Sequence, residues 1–63
     1  GPGAADGRPG NGADPVEAKL RRVQSLRERE DQDGARRLLY EVLAEGDADQ
    51  RRVARNILAQ LDD

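Results

Sequence analysis

The chain has 63 residues, eleven basic and thirteen acidic, for a net charge of -2. It can hold one domain at most, and with neither cysteine nor histidine it excludes a disulfide framework, thiolate chemistry and a histidine-activated nucleophile. The charge balance argues against a dedicated nucleic-acid binder, and a single aromatic residue, Tyr40, gives no stacking platform for single strands.

The first thirteen residues contain two of the three prolines and five of the seven glycines. They offer no large apolar side chain and maximal backbone entropy to lose, which predicts a flexible leader over 1–13. Its opening Gly1-Pro2 has the form of a cloning or protease scar and is set aside. A folded domain is expected over 14–63. That span lies close to the lower limit for a fold without cystines or metals. No apolar run approaches membrane-spanning length.

A first helix is predicted from about 15 to 29. Asp14 is its natural N-cap, and Pro15 follows where a missing N–H costs nothing. Glu17, three residues after Asp14, has capping-box spacing. Val16, Leu20, Val23 and Leu26 recur at helical intervals and share one side. Lys19 and Arg27 flank that stripe, whereas Arg22 and Arg29 point away.

A second helix is predicted from about 33 to 45, between two acidic turns. Ala35, Leu38, Leu39, Val42 and Leu43 have the i, i+3, i+4, i+7, i+8 spacing of a core-facing helix. Gly34 is expected to permit a tight turn or a close approach of the first helix. Gly46 stands where a left-handed residue commonly closes a helix. A third helix is predicted from about 48 to 61, opened by a capping box of Asp47 and Gln50. Its stripe is Val53, Ala54, Ile57, Leu58 and Leu61. Asp62 and Asp63 oppose the helix dipole, which predicts fraying.

Such short connections impose antiparallel order on neighbouring helices. The expected fold is all-α: a small three-helix, tetratricopeptide-like domain, with an antiparallel hairpin and a third helix packed back onto it. The tetratricopeptide pattern is met at Ala35 and in the length of the turn from Asp31 to Ala35. The first helix departs from it, with Lys19, Val23 and Leu26 where Trp, Gly and Tyr are preferred. Glu30 replaces the usual Gly, and Asp47 the usual Pro.

Pro15 to Leu20, Gly34 to Leu39 and Glu41 to Asp47 together resemble the C-terminal domain of the FimV/HubP/TspA family. Gln50-Arg51-Arg52 and Ile57 to Leu61 continue the resemblance, so it spans nearly the whole expected domain. The second-helix segment is the most specific part, and Arg22 and Arg27 depart from the family's apolar residues. The resemblance implies a bacterial polar landmark with a periplasmic peptidoglycan-binding region, one membrane span and a long acidic cytoplasmic part. This domain would be the cytoplasmic terminus, tethered to the inner membrane at the cell pole. Its role would be to recruit type IV pilus, twitching, flagellar or chemosensory factors.

Three kinds of residue are candidates for function. The pairs Asp31/Asp33, Asp47/Asp49 and Asp62/Asp63 are read as caps and turn residues. The region from Asp31 to Glu41 lacks the ligand series of a calcium loop. The pairs Arg21/Arg22, Arg36/Arg37 and Arg51/Arg52 are read as solvated faces exchanging i,i+4 contacts with Glu17, Glu41 and their neighbours. Tyr40 projects about 140° around its helix from Ala35. It is read evenly as a cover for a helix seam or as an interface anchor.

By the tetratricopeptide resemblance, the first helix lines a concave surface. Glu17, Leu20, Gln24 and Arg27 would face that groove, with Arg21 at its edge. The expectation is a non-catalytic protein-interaction domain without cofactor or metal, monomeric in isolation. Its expected ligand is an acidic or amphipathic protein segment, and it makes no direct contact with nucleic acid or membrane. The alternative is an oligomerisation cap or a fragment of a longer helical-repeat scaffold. An enzyme is disfavoured: Ser25 is the only serine, with no histidine to activate it, and the chain has no Gly-rich phosphate loop.

Overall fold

The computed structural model describes residues 14–62; the leader expected over 1–13 and the terminal Asp63 lie outside them. Three helices follow one another: α1 (Pro15–Glu28), α2 (Gln32–Glu45) and α3 (Ala48–Asp62). No strand occurs among the described residues. The predicted helix bounds differ from these by one residue at three of the six ends.

Each helix begins on an aspartate. The Asp14 carboxylate accepts from the backbone N–H of Val16 at 2.9 Å and of Glu17 at 3.4 Å. Asp31 accepts from Gly34 N–H at 3.0 Å. At α3 the box is reciprocal: Gln50 N–H donates to Asp47 at 2.8 Å, and Asp47 N–H donates to the Gln50 amide oxygen at 2.9 Å. Each cap satisfies amides that a helix start leaves without a partner.

The two turns differ in chemistry. After α1 the backbone passes through the left-handed region at Glu30, with φ 62°. Asp31 N–H then reaches Leu26 O at 2.8 Å, and Glu30 N–H reaches Arg27 O at 3.0 Å. These two bonds form a Schellman closure, at a position that usually holds glycine. After α2, Gly46 is extended rather than left-handed (φ -81°, ψ 167°), contrary to expectation. Its N–H donates to Val42 O at 2.7 Å. A Cβ at Gly46 would stand 2.8 Å from that carbonyl oxygen, so space, not the sign of φ, calls for glycine here. Gly34 serves the first of its two expected uses, the tight turn. Its missing Cβ would sit 2.7 Å from the Asp31 carboxylate, so the close neighbour is the cap and not α1.

The core is built from Val16, Val23 and Leu26 of α1, Ala35, Leu39 and Val42 of α2, and Ala54 of α3. Leu20, Leu38, Leu43, Ile57, Leu58 and Leu61 pack around it, half-buried. α2 is the central element and packs against both neighbours, while α1 and α3 barely touch through their backbones. Side chains nevertheless link α1 to α3 at both ends. The Gln50 amide donates to Asp14 at 3.1 Å and to Glu17 at 2.8 Å, and Arg27 donates to Gln60 Oε1 at 2.8 Å. Start meets start and end meets end, so α1 and α3 run parallel, with α2 antiparallel to both.

Candidate functional site

Two exposed faces follow from this arrangement. The first is a channel between α1 and α3, closed at one end by Gln50 with Asp14 and Glu17, and at the other by Arg27 with Gln60. Between Glu17 and Arg27, helical spacing places Leu20 and Gln24 on the channel side of α1. Between Gln50 and Gln60 it places Val53 and Ile57 on the facing side of α3. The distance from bridge to bridge is about 15 Å at the rise of an α-helix.

Val53 is 43 % exposed, although its place in the apolar stripe predicts burial. The physical reason is the missing neighbour: α3 is covered by α2 and only touched by α1. Ala54 is accordingly the one residue of α3 that is fully buried. An apolar strip of exposed Val53 and half-buried Leu20 and Ile57 therefore lies between two polar gates.

The second face is the outer seam between α2 and α3, on the side of α3 away from α1. Arg36 marks it by donating to Asp62 at 2.8 Å, with Asp33 further off at 3.9 Å. The Asp62 contact raises the Arg36 pKa above its ordinary value, chiefly through the hydrogen bond. Asp62 is thus tied to α2 by a side-chain bond. Tyr40 follows Arg36 by one turn and is 56 % exposed. Asp33, Arg36, Arg37 and Tyr40, all of α2, line a shallow pocket of about 320 Å³.

The six residues singled out from sequence therefore divide between the two faces. Glu17, Leu20, Gln24 and Arg27 share the side of α1 that faces α3, and Arg21 is exposed beside it. Tyr40 is elsewhere, at the seam. Arg27 has its guanidinium bonded to Gln60, so it serves as a gate rather than as a free cation.

Five of the six paired arginines are exposed, in line with the solvated-face reading, but the ion pairs are not the i,i+4 contacts expected. Lys19, not an arginine, takes Glu41 at 3.0 Å, and it takes Glu45 at 2.6 Å. The hydrogen bond to Glu45, and next that to Glu41, raise the Lys19 pKa. Glu17 turns to Gln50 rather than to an arginine one turn away. Arg52 pairs with Asp49 at 2.9 Å across three residues. Val53, Gln50 and Gln60 are the channel residues that sequence reasoning missed as a set. The Asp47–Gln50 box pointed to Gln50, but nothing local reveals its bonds to α1.

Comparisons of the chain with protein-family models, with curated proteins and with solved structures found no match. The two faces stand on their geometry alone. Among the described residues no group of three ligating side chains converges to hold a metal ion. No helix among them is long and apolar enough to cross a membrane.

Proposed function

We propose that this is a non-catalytic protein-interaction domain, and that its α1–α3 channel receives a segment of a protein partner. The observation that carries the reading is the apolar strip. Val53 is 43 % exposed in a molecule whose other valines are buried, and Leu20 and Ile57 continue the strip. The two polar gates fix its length at about three helical turns. Parallel outer helices flanking an antiparallel middle one also fit the tetratricopeptide-like layout, in which the first helix of each pair lines the ligand surface.

Within that reading, the resemblance to the C-terminal domain of the FimV/HubP/TspA family supplies the biological setting. The domain recruits pilus, flagellar or chemosensory factors to the pole, on the cytoplasmic side of a membrane-anchored parent. The test is a pull-down from bacterial lysate with the wild-type domain and with Val53→Glu, which puts a charge at the exposed position of the strip. Loss of specific partners from Val53→Glu, with an unchanged melting curve, supports the channel. Identical partners captured by both proteins would remove it.

A second reading, as a capping or repeat fragment, is favoured by one feature: α3 has a single fully buried residue, as though another helix belonged against it. Light scattering separates the two. A monomer over a broad concentration range supports the interaction domain, and a concentration-dependent melt supports the fragment.

A further inference from the structure

We infer that the outer α2–α3 seam is a second docking surface, separate from the channel, and that it takes an acidic amphipathic helix of a partner protein. The Arg36–Asp62 bond sets the register of the two antiparallel helices. Stepping forward along α2 and backward along α3 from that bond brings Tyr40 opposite Leu58, and Leu43 opposite Arg55. Asp62, Leu58, Arg55 and Arg51 share one side of α3 at spacings of four, seven and eleven residues. Arg36, Tyr40 and Leu43 share the facing side of α2. The seam thus has an apolar floor, formed by half-buried Leu43 and Leu58 and the exposed ring of Tyr40.

Its rim is basic. Arg37, Arg51 and Arg55 are all exposed along it, and none makes an ion pair with another described residue. Of the acidic groups on this side, Asp33 and Asp62 face Arg36, and Asp47 caps α3. An apolar floor with an arginine rim complements a helix that carries apolar residues on one face and glutamates beside them. Tyrosine is suited to anchor such a helix, because its large ring is ordered at low entropic cost.

Charge also decides against a second copy as the occupant. α1 carries Lys19, Arg21, Arg22 and Arg27 against Glu17 and Glu28, and α3 carries three arginines against two aspartates. Neither presents the acidic face that the rim requires, and α2 already forms the floor. The acidic partner expected from sequence is thereby kept, but its cations are Arg37, Arg51 and Arg55 rather than Arg21 and Arg27.

The inference rests on the interaction-domain reading but not on the channel. The probe is a synthetic helical peptide of about four turns, with leucines on one face and glutamates flanking them. A counterpart with lysines replacing the glutamates is the control. Amide shifts of the isotope-labelled full chain are followed during titration, in low and high salt.

The expected result is that the glutamate peptide moves Tyr40, Leu43, Arg55 and Leu58, that salt weakens it, and that the lysine peptide fails to bind. Arg51→Glu with Arg55→Glu should weaken binding at least tenfold while circular dichroism stays helical. Tyr40→Ala should also weaken binding with the melting curve kept. Shifts confined to Leu20, Gln24 and Val53 would overturn the seam and leave the interaction domain standing. Equal binding of both peptides, no binding of either, or the same shifts appearing on simple concentration of the protein would each overturn the seam as a site for acidic helices.

Discussion

At the scale of single residues, the two inter-helix turns carry opposite demands on glycine. Glu30 occupies a left-handed position at φ 62°, which costs an L-residue roughly 1–2 kcal/mol. The Schellman bonds around it hold that conformation in place. Glu30→Gly is therefore expected to stabilise the domain by about 1 kcal/mol, part of the relief being returned as entropy of the unfolded chain. A melt should move up by roughly 4–8 °C. Gly46 has an ordinary φ but no space, since a Cβ would lie 2.8 Å from the Val42 carbonyl oxygen and 3.0 Å from Gln50 Cβ. Gly46→Ala should cost about 1–3 kcal/mol, as overpacking does, and lower the melting temperature. If Gly46→Ala melted above the wild type, crowding would not be the reason for that glycine.

At the scale of elements, the helices are unequally secured. α1 and α2 share six of the seven buried core residues and the Lys19 clamp. α3 contributes Ala54 and is otherwise held by half-buried side chains and exposed polar bonds. Its amides should therefore exchange with solvent faster than those of α2, and Arg36→Ala should accelerate exchange chiefly in the last turn of α3. The Arg36–Asp62 pair is solvent-exposed and should contribute little to global stability. Equal protection across α2 and α3 would show that the molecule opens only as a unit. The Lys19 clamp has a distinct signature in pH. Its folded-state pKa lies above the ordinary 10.5, through the hydrogen bonds to Glu45 and Glu41. Its contribution is then complete below about pH 10.5 and declines as pH rises through the folded value. Melts of the wild type and Lys19→Gln should differ by a constant amount near neutrality and converge in strong alkali. A gap that persists there would assign the effect to the packing of the lysine stem.

At the scale of the whole molecule, the parts legible in sequence are those decided locally. Helix starts follow from Asp14, Asp31 and Asp47, and the Asp47–Gln50 box is complete within three residues. The core positions of α1 and α2 follow from spacing, because each helix has a full partner to bury its stripe. What spacing could not show depends on which helix lies beside which. Glu17 is drawn to Gln50 across thirty-three residues of sequence. Val53 keeps its place in the stripe, yet it is exposed because α1 stands off from α3. The open channel and the arginine-rimmed seam are both products of that incomplete cover. A fold with so few fully buried residues has little stability in reserve. Leu39 is 0 % exposed and is the largest of the side chains fully enclosed. Leu39→Ala should cost about 2–5 kcal/mol, comparable to the whole stability of a domain this small. The expected outcome is loss of the helical circular dichroism signal at room temperature, recovered in part by an excluded osmolyte such as trimethylamine oxide. Val53→Ala removes a similar aliphatic group from an exposed site and should leave the signal intact. If both variants melted alike, the core would not be centred on Leu39. The half-covered faces would then contribute as much to folding as the enclosed one, and neither would be free to serve a partner.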